Sequence, residues 1–328
     1  MPPTAADHHP RIDAARTGLP VDWDLARRTA VRLVPGGPAV AAAEAQELVA
    51  RLRADATVAE GHVRAVTGLG TGLPLLPADV VDRPAWATAA VHGMAELTAG
   101  ARLPDVPRVA RAITSTTAGL QVGGVHVGRD EQRALDVPAE DFAMWVCLHE
   151  ATHRLQFTAV PWLREHFADE VSRFLSISEL GRGGVLERLP EAVRALREAH
   201  GDALALVEVL QGPEQRAVLD RLLALTTLLE GHADHVMDAA GPDVVPSVAT
   251  IRARFTVRRR GGGLIDRVLR ALLGVEAKVR QYAVGSAFTR HVIDAVGMDG
   301  FNQVWSSPEA LPTRAELADP SAWLRRVA

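Results

Sequence analysis

The pentapeptide His149-Glu150-Ala151-Thr152-His153 constrains this chain more tightly than any other stretch. On a helix, side chains four residues apart lie one above the other on a single face, about 6 Å apart at Cβ, so both imidazoles can reach one ion. Glu150 sits one step round the helix, where its carboxylate can reach a water on that ion without displacing it. The fold must therefore hold this segment as a helix and bring a further ligand up to it.

The flanking residues support the helix. Between Asp136 and Phe157, Asp136 is placed to cap, Pro138 falls in the first turn, and Glu140 and Asp141 suit the positive end of the helix dipole. From Phe142 the pattern is apolar on nearly every side, through Met144, Trp145, Val146, Cys147 and Leu148, which predicts a buried helix. Two histidines and a carboxylate on such a helix need partners, because unpaired buried charge is costly. A metal ion meets that need.

A catalytic zinc takes three protein ligands and keeps a fourth position for water. The metzincin continuation would supply the third ligand from a histidine six residues after His153, with a glycine between, but Ala159 and Gln156 stand at those positions. The segment Leu219 to Ala240 is the better source. Its apolar run Leu222 to Leu229 leads directly into Glu230-Gly231-His232-Ala233-Asp234-His235. At 100° per residue Glu230 shares a side with Leu219, Leu223, Thr226, Asp234 and Met237, whereas His232 and His235 point roughly opposite. The helix then offers either a carboxylate pair or a histidine pair. Glu230 with Asp234 has the spacing in which the glutamate ligates and the aspartate orients a ligating imidazole. His235 is the alternative ligand.

With these residues in place, the chain resembles the zincin-like metallopeptidases of the DUF2342 type, some of which are named as hydrolases associated with coenzyme F420 biosynthesis. The matching stretches are Val21-Asp22-Trp23, Val81 to Trp86, Trp145 to Phe157, Pro161 to Arg164, Glu230 to Asp238, Arg259 to Gly263, Lys278 to Tyr282, and Leu311-Pro312-Thr313 before Trp323. Ala89, Ala90 and Val91 stand where the family would lead one to expect an asparagine. The resemblance implies a mainly helical, zinc-dependent, single-domain protein with a peptidase-type site, and it implies no particular substrate.

Elsewhere the sequence excludes more than it specifies. With 328 residues and 48% hydrophobic content the chain can bury a sizeable core. A net charge of −4 argues against an electrostatic nucleic-acid binder. The lone Cys147 excludes an internal disulfide, so a reducing, cytoplasmic location is expected, and no apolar run is long enough to span a bilayer. Residues 1–20, with Pro2, Pro3, His8, His9 and Pro10, read as a flexible tail ahead of one domain over 21–328. The oligomeric state is not readable.

Helices are expected over Val21–Leu33, Ala41–Leu69, Pro84–Ala99, Pro161–Leu180, Pro190–Leu210 and Leu264–Val296, with breaks at Pro35-Gly36-Gly37-Pro38 and Gly181 to Gly184. The β-branched alternation from Ile113 to Val127 predicts two short strands. They are either an edge ribbon on which a substrate strand could lie or a structural hairpin. The expected fold class is thus mainly α, with α+β character from that ribbon. Arg258-Arg259-Arg260 before three glycines lacks the Gly-Lys-Ser/Thr ending of a P-loop, which leaves a solvated turn or a contact to a substrate carboxylate. Lys278 and Tyr282 are the chain's only lysine and only tyrosine. Tyr282 is either an oxyanion donor or an interface residue.

The expected chemistry follows from these residues. Zinc on His149, His153 and Glu230 would activate water, Glu150 would serve as general base, Asp234 would orient an imidazole, and Tyr282 would steady the oxyanion. The substrate would be a peptide or a small amide. Two rivals remain: a zinc hydrolase of non-peptide amides or esters, and a catalytically inactive zincin-like binding protein.

Overall fold

The structure is a computed structural model that describes residues 21–35, 37, 40–75, 77–101, 136–176, 213–260 and 275–327, with side chains omitted over 255–283. Its elements are helices: α1 (Trp23–Leu33), α2 (Ala42–Thr67), α3 (Arg83–Leu97), α4 (Ala139–Ala159), α5 (Leu163–Ser176), α6 (Pro213–Val244), α7 (Val248–Arg260) and α8 (Val275–Phe301). Two 3₁₀ turns, Asn302–Trp305 and Pro308–Ala310, then lead to α9 (Arg314–Ala318) and α10 (Pro320–Val327). The ribbon expected between Ile113 and Val127 and the helix expected over Pro190–Leu210 lie outside the described residues. No helix among the described residues is long and apolar enough to cross a membrane.

Local signals account for several helix starts. Asp22 accepts a hydrogen bond from the Leu25 amide at 2.8 Å and Asp82 one from the Ala85 amide at 2.8 Å, so α1 and α3 begin where an aspartate can satisfy an orphan N–H. At α4 the expectation of an aspartate cap is overturned. Pro138 is the N-cap and makes no side-chain cap, while Asp136 takes a positive φ of 50° and turns its carboxylate toward Arg254 at 3.1 Å. Asp141, in the first turn of α4, instead accepts from the Ser247 amide at 2.8 Å and ties that turn to the entry of α7. Helix α7 and the C-terminal elements escape the sequence reading, being short or weakly patterned.

Among the described residues a small apolar cluster joins Trp23 of α1 to Met94 and Ala95 of α3, and two larger cores meet at α4 and α6. One gathers Ala59 and Val63 of α2, Phe142, Trp145, Leu148, Ala151 and Leu155 of α4, Val236 and Met237 of α6, and Ile251 of α7. The other joins Leu163 and Phe167 of α5, Leu225, Leu228 and Leu229 of α6, Phe288 and Val292 of α8, and Phe301, Val304, Trp305 and Trp323. The prediction that α4 is buried on most sides holds, and α6 serves both cores. The C-terminal segment closes the second core through two indole donors: Trp162 Nε1 to the Trp305 carbonyl at 3.0 Å, and Trp323 Nε1 to the Ala310 carbonyl at 2.8 Å. Gly241 ends the regular part of α6, because its φ of 69° with ψ of −176° belongs to a conformation that L side chains avoid.

One buried charge anchors the motif helix. Glu60 of α2 is 1% exposed; its carboxylate accepts from Arg64 Nε at 3.0 Å and Nη2 at 2.6 Å, and it also pairs with Arg154, the residue after His153. Arg64 in turn donates to the carbonyls of Gly70, Leu73 and Pro74 in the loop beyond α2. Taking the charge from Glu60 would leave two guanidinium groups facing each other without an anion. Glu60→Gln is therefore expected to lower stability by about 3 kcal/mol. The effect would be read as a reduced urea midpoint at unchanged slope.

Candidate metal centre

Helices α4 and α6 cross so that His149, His153 and Glu230 converge. His149 Nε2 and His153 Nε2 are 3.1 Å apart, and Glu230 Oε2 lies 3.7 Å from the first and 3.8 Å from the second. The two rings stand edge to face with centroids 4.5 Å apart. All three side chains are partly buried, at 15%, 14% and 25% exposure. Donor atoms 2.0–2.1 Å from a tetrahedral zinc ion lie about 3.3 Å from one another, and the three observed separations bracket that value. Two imidazole nitrogens and a carboxylate oxygen also form a donor set that suits zinc. The residues present therefore fit the ion that the motif calls for.

Burial pulls the His153 ring down, but the Glu230 carboxylate, Gln156 and Glu150 together hold it above the ordinary imidazole value. Glu150 follows His149 on α4 and is partly buried. Cys147 is not a competing nucleophile: burial, with smaller contributions from Asp55 and Glu150, pushes its thiol up to about 12.

The two histidines of α6 stand apart from this group. His235 lies outside the group of three. Burial holds its ring below the usual value, and its charged neighbours are Asp238, Arg290, Asp294 and Arg252. His232, expected with His235 on the side of α6 opposite Glu230, is fully buried, and its Nδ1 lies 3.0 Å from the Gln156 amide nitrogen. Of the two pairs that α6 could offer, the carboxylate side joins the group, through Glu230, while His232 meets Gln156 because α6 is packed on both sides.

Asp234 is partly buried one turn beyond Glu230, where Arg252 Nη2 donates to its carbonyl at 2.5 Å and lies 3.7 Å from its Oδ1. Gln156 Oε1 lies 2.8 Å from His153 Nδ1, a contact of the kind expected of Asp234. Gln156 had counted only as the residue that breaks the metzincin pattern. A signal for it was present: a glutamine three residues after His153 falls on the same helix face, inside a segment too apolar to solvate it.

A family model of zincin-like metallopeptidases matches residues 21–129 and 129–324. The chain belongs to this family. A solved structure from Chloroflexus aurantiacus, of "a putative hydrolase with a novel fold", is similar to this zincin-like metallopeptidase at 26% identity with a TM-score of 0.64, covering 93% of this chain and 98% of that one. No curated protein matches the chain. Family and structural neighbour together support a hydrolase.

The close approach of α6 and α8 in this zincin-like metallopeptidase is set by two glycines. A Cβ built on Gly231 would lie 2.1 Å from the Gly285 carbonyl carbon, and one built on Gly285 would lie 2.2 Å from the Thr227 carbonyl oxygen. Gly231 directly follows Glu230, so the backbone that carries this carboxylate is pressed against α8. Tyr282 belongs to α8, but its side chain, like that of Lys278, lies outside the described residues, as do those of Arg258, Arg259 and Arg260.

Proposed function

We propose that this chain is a zinc-dependent peptidase in which His149, His153 and Glu230 hold the ion. The observation that carries the reading is the convergence of their three donor atoms within 4.8 Å where α6 meets α4, the helix that also bears Glu150. When bound in such a site, zinc lowers the pKa of water and polarises a carbonyl. Glu150 takes the proton of the attacking water and delivers it to the leaving amine, which is the work of a general base that becomes a general acid. Asp234, one turn beyond Glu230, belongs to the polar surround that orients the ligands. Partial burial of the cluster strengthens these interactions.

The substrate is a peptide or a small amide, and one assay separates the two. Purified zinc-loaded protein is offered a mixed peptide library and a panel of small amides and esters, with and without a zinc chelator. Chelator-sensitive cleavage within peptides is the expected outcome. Turnover confined to small amides or esters would replace the peptidase with a hydrolase of non-peptide substrates, and no turnover of either by metal-loaded protein would favour a binding role.

A further inference from the structure

We propose that Gln156 is a positioning residue of the metal centre: it fixes the tautomer of His153 and ties that ligand to the helix carrying Glu230. This rests on the ligand set proposed above. Gln156 is fully buried, and its amide meets three groups: His153 Nδ1 at 2.8 Å, the Leu229 carbonyl at 3.0 Å and His232 Nδ1 at 3.0 Å. The Leu229 carbonyl can only accept, so the amide nitrogen must face it. The amide oxygen then faces His153. An amide oxygen also can only accept, so His153 carries its proton on Nδ1 and presents the Nε2 lone pair toward His149 and Glu230.

The second amide hydrogen completes the argument. It points at His232 Nδ1, which must accept it, so His232 carries its own proton on Nε2. The His232 ring is fully buried, with Phe301 nearly parallel at 5.1 Å and Trp305 at 5.5 Å, and this packing holds the accepting nitrogen in place. Leu229 directly precedes Glu230. One side chain therefore links a ligand on α4 to the backbone beside the ligand on α6. Neither aspartate nor glutamate could replace it fully, since a carboxylate has no hydrogen for Leu229 or His232 and would bring a charge into a dry site.

Three measurements test the proposal. On wild-type apo-protein labelled with ¹⁵N-histidine, at about pH 9 where imidazoles are neutral, side-chain NMR should place the His153 proton on Nδ1. In chelator competition, Gln156→Met should weaken zinc binding about 10- to 100-fold, whereas Gln156→Glu, which keeps an acceptor for His153, should lose clearly less. Circular dichroism checks that both variants fold. A His153 proton on Nε2, wild-type zinc affinity in folded Gln156→Met, or equal losses in both variants would each overturn the proposal. Should Gln156→Met fail to fold, the tautomer in wild type decides. If wild-type protein itself binds no zinc, the ligand set fails, and the tautomer measurement still judges the role of Gln156 separately.

Discussion

Glu150→Gln is expected to leave the zinc content and the fold unchanged while lowering kcat roughly 100- to 10,000-fold, the usual worth of a general base. The substitution keeps the size of the side chain and removes only its ability to take a proton. Glu150 adjoins His149 on α4 but is not among the three converging ligand atoms, so the metal should not depend on it. Side-by-side zinc analysis and peptide hydrolysis check both halves of the expectation. Hydrolysis that survives in Glu150→Gln would remove this residue from the mechanism, and loss of zinc would make it a ligand.

The second large effect is structural. Gly231→Ala would place a methyl group 2.1 Å from the Gly285 carbonyl carbon, where non-bonded carbons normally sit about 3.5–4.0 Å apart. Helices α6 and α8 must separate, because the obstacle is backbone and cannot swing aside. A stability loss of about 3 kcal/mol is expected, a large share of the total stability of an ordinary domain. The displaced segment carries Glu230, so zinc affinity should fall together with stability. Gly61→Ala is the matched control. A Cβ there meets nothing within 4 Å, and a helical glycine replaced by alanine should gain up to about 1 kcal/mol. Denaturation midpoints of the two variants should therefore move in opposite directions.

The contrast between these residues shows what a sequence makes legible. The HExxH helix, its burial and the candidacy of Glu230 follow from periods of three and four along single helices, and such periods are written locally. The expected α1 to α4 fall within a few residues of the helices observed, because Asp22, Asp82, Pro84 and the breaking Pro35 act on their own neighbours. Gln156 and His232 are 76 positions apart and acquire their roles only when two helices cross. Gly231 and Gly285 are similar: each looks like a helix defect until the partner helix is in place. The helical wheel gives His232 a side but no partner, because a wheel shows one helix alone, whereas α6 lies between two cores.

The central claim is that His149, His153 and Glu230 form one zinc site. Metal analysis of protein purified after zinc-replete expression tests it most directly, with His149→Ala, Glu230→Ala and His235→Ala prepared in parallel. The account predicts one zinc per wild-type chain, retained in His235→Ala and lost in the other two. Zinc absent from wild type, or kept in Glu230→Ala and lost in His235→Ala, would contradict it.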